Sequence, residues 1–256
     1  MYRSCILAAL VLLVGCGRAQ GPTSDVVVSV AISISEAMQQ VAFDFEEETG
    51  LRVALNIGGS DTLATQLIAG ASVDLFVSAD LRQMTRVELD GGILTASKVN
   101  LLSNQLVLVT HGDNPRYFSG IGDLAESNIR RVAMGDPDAV PAGVYARQFL
   151  QVSGLWNAVR DKVVPTRNVR AVLAAVEAGN VDAGFVYRTD VSLVENMKIV
   201  VAIPVGKGPE IRYVAAVTAN APNESGARQF LDFLRSEASM HIFEDYGFIA
   251  LNGEVR

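Results

Sequence analysis

Two cysteines, two histidines and one tryptophan are all that this 256-residue chain has of those residue types. Both cysteines, Cys5 and Cys16, fall at the N-terminal end, so no disulfide framework can staple the body. His111 and His241 stand far apart, with no Cys or paired carboxylates at ligand spacing, which argues against a metal-cation centre. There is no GxSxG elbow for a serine hydrolase, no GxGxxG for a dinucleotide and no Walker lysine for nucleotide phosphates. Lys and Arg number 21 against 28 Asp and Glu, a net charge of −7, so no basic surface for nucleic acid is expected. Beyond the N-terminal run, apolar stretches are strand-length and too short to cross a bilayer.

What is present begins with a leader. Arg3 precedes an apolar run over residues 5–14 (CILAALVLLV), closed by Gly15-Cys16, which reads as a secretory signal spanning residues 1–15. Leu13-Val14-Gly15-Cys16 resembles the lipobox of bacterial lipoproteins, which implies cleavage before Cys16 and acylation of its thiol. Several acyl chains hold a protein on a membrane where one would not. The expected location is therefore extracytoplasmic, lipid-anchored to a bacterial membrane, on the periplasmic face in a Gram-negative cell. Residues 17–25 (GRAQGPTSD) read as a polar linker. The processed chain, roughly 240 residues, suffices for one large domain or two lobes. Its 50% hydrophobic and 7% aromatic content suits a packed globular body.

Strands then alternate with helices. VVVSVAI (26–32), LRVALNI (51–57) and VDLFVSA (73–79) are strand-like. Between the first two, Met38, Val41, Ala42 and Phe45 repeat at helical spacing and stop at Gly50. Further strands are expected at 105–110, 130–136, 181–187, 198–203 and 211–219, with helices opening at Pro141 and Val169 and two more over 224–246. This order predicts an α/β fold with mainly parallel sheets. At 32–35, 58–61, 141–143 and 166–169 a strand gives way to a helix through a short loop of small residues. Such loops lie at the carboxyl ends of strands, where α/β sheets place ligands, and each exposes N–H donors backed by a helix dipole. They are either ordinary caps or a converging donor site.

The runs AISISEAM (31–38), GGSDTLATQLIAGASVDLFVSAD (58–80), NQLVLV (104–109), MGDPDAVPAGVYA (134–146), NVRAVLAAVEAGNVDAGFVYRTD (168–190) and IFEDYGF (242–248) together resemble the periplasmic molybdate-binding proteins of ABC transporters. The resemblance spans about 26–248 and implies a type II periplasmic binding protein: two α/β lobes, each a mainly parallel sheet flanked by helices, with the ligand in the cleft. Lobe 1 would take 26–104 and 206–256 and lobe 2 105–205, hinged at crossovers near 104–108 and 203–207. It further implies that the oxyanion is held by the hydroxyls of Ser33, Ser60 and Tyr187 and the backbone N–H groups of Ala142 and Val169. Molybdenum would be present as that bound oxyanion alone, with no cofactor and no catalytic residue. The implied function is capture of molybdate, and of tungstate with it, for an ABC importer permease, by a monomer. Molybdate is fully deprotonated near neutral pH, so a site made of donors suits it.

Two residues depart from the family pattern. Asp61 follows Ser60 where a small hydroxyl or Gly is usual, and Glu36 stands where Asn or Asp is. Asp61 either points into the cleft, favouring a protonated oxyanion such as phosphate, or serves a helix N-terminus from outside, as first-turn acids do. Sulfate, also fully deprotonated, differs from molybdate in size alone. A lipid-anchored enzyme using Ser33 or Ser60 would need a His or Lys base, and none can be placed near either.

Overall fold

The computed structural model describes residues 25–115 and 118–251; the signal, Cys16 and linker residues 17–24 lie outside them. The chain opens with β1 (Val26–Ala31), α1 (Ser35–Thr49), β2 (Val53–Gly58), α2 (Ser60–Ile68), β3 (Leu75–Ser78), α3 (Leu81–Leu89) and β4 (Val99–Ser103). β5 (Leu106–His111), β6 (Val132–Gly135), α4 (Pro141–Val152), α5 (Trp156–Val159) and β7 (Val163–Thr166) follow. Then come α6 (Val169–Glu177), β8 (Ala183–Tyr187), α7 (Arg188–Val191) and β9 (Met197–Ala202). β10 (Tyr213–Val217), α8 (Glu224–Leu234), α9 (Glu237–Asp245) and β11 (Ile249–Ala250) complete it.

The apolar periodicity explains these elements. β1 is β-branched and almost wholly buried, as a strand covered on both faces must be. In α1 the stripe of Met38, Val41, Ala42 and Phe45 faces inward, and Phe45 packs edge-on against Phe230 and Phe233 of α8. Gly50 ends that helix at φ 72°, where its N–H reaches the Glu46 carbonyl.

Six strands form one sheet, in the order β11-β4-β10-β3-β1-β2, and five form the other, β7-β6-β8-β5-β9. The chain leaves the first through Asn104-Gln105 and returns through residues 203–212. The α/β architecture is as expected, but the sheets are mixed rather than mainly parallel. β1 runs parallel to β2 and β3, and β6 to β7 and β8, whereas β10 is antiparallel to β3 and β4, and β5 to β8 and β9. Parallel pairing needs a crossover, which each β–α–β unit supplies. β5 and β10 arrive directly from the other sheet, free of that constraint. Three strands were not expected: β4, β7 and the two-residue β11. β7 carries Pro165, tolerated because β7 is an edge strand. β4 lies in VNLLS, where Asn100 and Ser103 flank and mask its two buried leucines.

Candidate functional site

The strand-to-helix loops of both sheets meet. Residues after β1, β2 and β3 on one side, and those opening α4 and α6 with the end of β8 on the other, enclose a cavity of about 20 Å³. Ser33, Ser60, Ala142, Val169 and Tyr187 all line it. Among the described residues its wall contains no Asp, Glu, Lys, Arg or His.

Each of the five presents a donor. Pro141 opens α4 without an N–H, so Ala142 supplies that helix's first one. Close packing holds it there: a Cβ on Gly143 would lie 1.9 Å from the Gly135 carbonyl oxygen, so glycine alone lets this turn rest on the end of β6. Asn168 caps α6 by accepting from the Ala171 N–H at 3.0 Å, which leaves the Val169 N–H at the first turn without an intrahelical acceptor. Ser60, at the start of α2, accepts from the Ala79 N–H at 3.0 Å, so its own proton is left to donate elsewhere. Ser33 likewise accepts from the Tyr213 hydroxyl at 2.9 Å. Tyr187 is 1% exposed, and its buried hydroxyl has no protein partner. Burial, then the neighbouring Tyr213 and Tyr145, hold this phenol well above its ordinary pKa, so it keeps its proton.

Charged groups stand around the cavity, not in it. Asp61 is absent from the wall; its Oδ1 lies over Gly59 at the start of α2, 2.7 Å from where a Cβ would be. Glu36 accepts from Arg170 at 2.6 Å, and Arg170 also reaches the Ile32 carbonyl at 3.2 Å. On the opposite flank the Arg82 guanidinium donates to the carbonyls of Asp138 and Ala139 at 2.7 and 3.1 Å, and Gln83 Nε2 donates to Ala139 at 3.0 Å. These contacts join the elements of one sheet to those of the other. Asp190, fully buried, lies 3.7 Å from Arg170 and accepts from the Tyr187 N–H at 3.0 Å; burial pushes its pKa up to about 7. Among the described residues no group of three or more His, Cys, Asp or Glu could hold a metal ion.

Sequence reasoning missed the groups that orient these donors: Tyr213, Asn104 and the bridging Arg82 and Gln83. One signal was there to read. Tyr213 lies in the apolar run YVAAV, and a tyrosine buried in a strand needs a partner for its hydroxyl.

A model of the family described as bacterial extracellular solute-binding protein matches residues 26–249. The chain belongs to this family. As a solute-binding protein it is no enzyme, which suits a cavity without a general base. It is 35% identical over 236 residues to the molybdate-binding protein ModA of Escherichia coli (strain K12), covering 91% of each chain. It is 34% identical over 252 residues, 95% of each chain, to YvgL of Bacillus subtilis (strain 168), whose name describes an ABC transporter substrate-binding lipoprotein. The periplasmic molybdate-binding protein of Azotobacter vinelandii shares the two-lobed fold, with a TM-score of 0.77 over 89% of this chain and 100% of that one at 21% identity.

Proposed function

We propose that this solute-binding protein captures molybdate, and tungstate with it, outside the cytoplasm and passes it to an ABC importer. The observation that carries the reading is the uncharged, donor-lined cavity between the two sheets, with the Tyr187 hydroxyl buried in it unpartnered. A fully deprotonated tetrahedral dianion can only accept hydrogen bonds, and two serine hydroxyls, a phenol and two helix-start amides can satisfy it. The dipoles of α2, α4 and α6 add positive potential without a formal charge. Phosphate carries a proton at neutral pH and would need an acceptor, and among the described residues no carboxylate lines the wall.

The lobes take residues 26–104 with 206–256 and 105–205, and close about the crossovers near 104–108 and 203–207. Closure brings Ser33 and Ser60 against Ala142, Val169 and Tyr187, so the ligand favours the closed form because that form alone completes its hydrogen-bond shell. Arg82, Gln83 and Arg170 hold the rim shut. A lipid carried on Cys16 keeps the body at the membrane beside its permease, a reading supported by the lipobox-like Leu13–Cys16 and the name of the Bacillus subtilis relative. Cys16→Ser should release the protein from the membrane fraction; retention would refute the anchor.

Calorimetry with molybdate, tungstate, sulfate and phosphate tests the ligand. Tight binding of molybdate and tungstate is expected, and tight phosphate binding without molybdate binding would overturn the assignment.

A further inference from the structure

Ser33 differs from the other donors in one respect. The amides of Ala142 and Val169 can only donate, and Ser60 accepts from a backbone N–H, a bond that cannot turn around. Ser33 receives its hydrogen bond from another hydroxyl, Tyr213, which could in principle turn the bond around. What prevents this lies in the crossover between the sheets. Asn104, 3% exposed, accepts the Gln105 N–H on Oδ1 at 2.8 Å. Because a backbone N–H only donates, this fixes which way the amide points. Both hydrogens of Asn104 Nδ2 then face hydroxyl oxygens, Thr189 Oγ1 at 2.9 Å and Tyr213 Oη at 3.4 Å. Tyr213 Oη therefore accepts from Asn104 and sends its single proton to Ser33.

We propose that Tyr213 is a specificity-determining positioning residue: held by Asn104, it donates to Ser33 and commits the Ser33 hydroxyl to donate into the cavity, so that the site rejects oxyanions bearing a proton. The proposal rests on reading the cavity as an oxyanion site. A protonated oxyanion brings a donor, and a donor facing a wall of donors stays unsatisfied in a buried place. Without the Tyr213 hydroxyl, nothing directs the Ser33 proton into the cavity, so the hydroxyl can rotate and turn a lone pair to that proton. The ring can stay where it is, since Phe248 at 5.3 Å and Tyr187 at 6.0 Å pack on it.

The test is Tyr213→Phe, assayed by competition titration of the purified protein with sodium molybdate and sodium phosphate at neutral pH. The ratio of phosphate Kd to molybdate Kd should fall by about tenfold or more, the worth of one hydrogen bond involving a charged group. In a Ser33→Ala background the same substitution should leave the ratio unmoved, because Tyr213 acts through Ser33. Asn104→Ala, which frees Tyr213 to accept from Ser33, should shift the ratio in the same direction and decides the matter if Tyr213→Phe does not fold. An unmoved ratio in the folded variants, or an equal fall without Ser33, overturns the proposal. A wild-type protein that binds no molybdate would instead sink the reading of the cavity itself.

Discussion

Tyr187→Phe separates binding from folding more cleanly than any other substitution at this site. It removes one oxygen and keeps the ring among Tyr213 and the strand β8 packing. In this structure that oxygen is buried with no partner among the described residues, so the fold gains nothing from it. A buried unsatisfied hydroxyl costs about 1–3 kcal/mol, reduced where opening of the cleft lets water reach it. The ligand-free variant should therefore melt at the wild-type temperature or above it. Binding should move the other way. A hydrogen bond to a charged acceptor contributes about 1.5–3 kcal/mol, so the molybdate Kd should rise roughly 10–150-fold. Thermal melts give the first quantity, and calorimetric titration with molybdate gives the second. In the wild type, saturating molybdate should raise the melting temperature more than in the variant at equal concentration, by the linkage between ligand occupancy and stability. An unchanged molybdate Kd in a folded variant would show that the hydroxyl does not face the ligand. A large fall in ligand-free stability would show that it has a protein partner after all.

Other consequences can be checked independently. Asp190 has its pKa raised from 3.8 to about 7 by burial, so its contribution to stability is full below the unfolded value and is lost as pH rises through about 7. Asp190→Asn keeps an acceptor for the Tyr187 N–H and should flatten the wild-type decline in denaturant stability from about pH 4 to about pH 7; a parallel decline would place the titration elsewhere. Arg82→Ala removes two rim hydrogen bonds at an exposed side chain, worth about 0.5–1 kcal/mol in sum. It should weaken molybdate binding a few-fold through faster release, measured by stopped-flow, and an unchanged release rate would contradict the rim role. Gly143→Ala places a Cβ 1.9 Å from the Gly135 carbonyl oxygen. The forced shift of α4 should cost about 1–3 kcal/mol by chemical denaturation and weaken binding through Ala142; a neutral result on both counts would mean that α4 can move freely.

Much of the site could be read from the chain because its donors are local features. A helix start announces its own free N–H groups through Pro141-Ala142-Gly143 or Asn168-Val169, whatever lies opposite. Ser60 and Tyr187 stand where strands end and loops begin. What orients those donors is non-local: Tyr213 meets Ser33 from 180 residues away, and Asn104 meets Tyr213 from 109. No periodicity encodes such a pairing. The same limit applies to sheet direction, since β10 reads as an ordinary apolar strand and its antiparallel place between β3 and β4 depends on where the chain re-enters. Asp61 and Glu36 were ambiguous for a related reason. A first-turn acid is compatible with facing in or out; here contact with Arg170 settles Glu36, while the Asp61 carboxylate lies beside Gly59 without lining the cavity.

The neutral wall of the cavity has a consequence for life outside the cytoplasm. A cell regulates its interior but not the acidity or saltiness of the medium beyond its membrane. A pocket that gripped its ion with histidine or lysine would loosen as those groups lost their protons, and one relying on exposed charge would fade in brine. Here the groups proposed to grip the ion are amides that never titrate, serine hydroxyls and a phenol whose proton is held by burial. A wall built this way carries no group of its own that would gain or lose a charge near neutral pH, so a change in the acidity of the medium leaves the charge of the cavity lining unchanged.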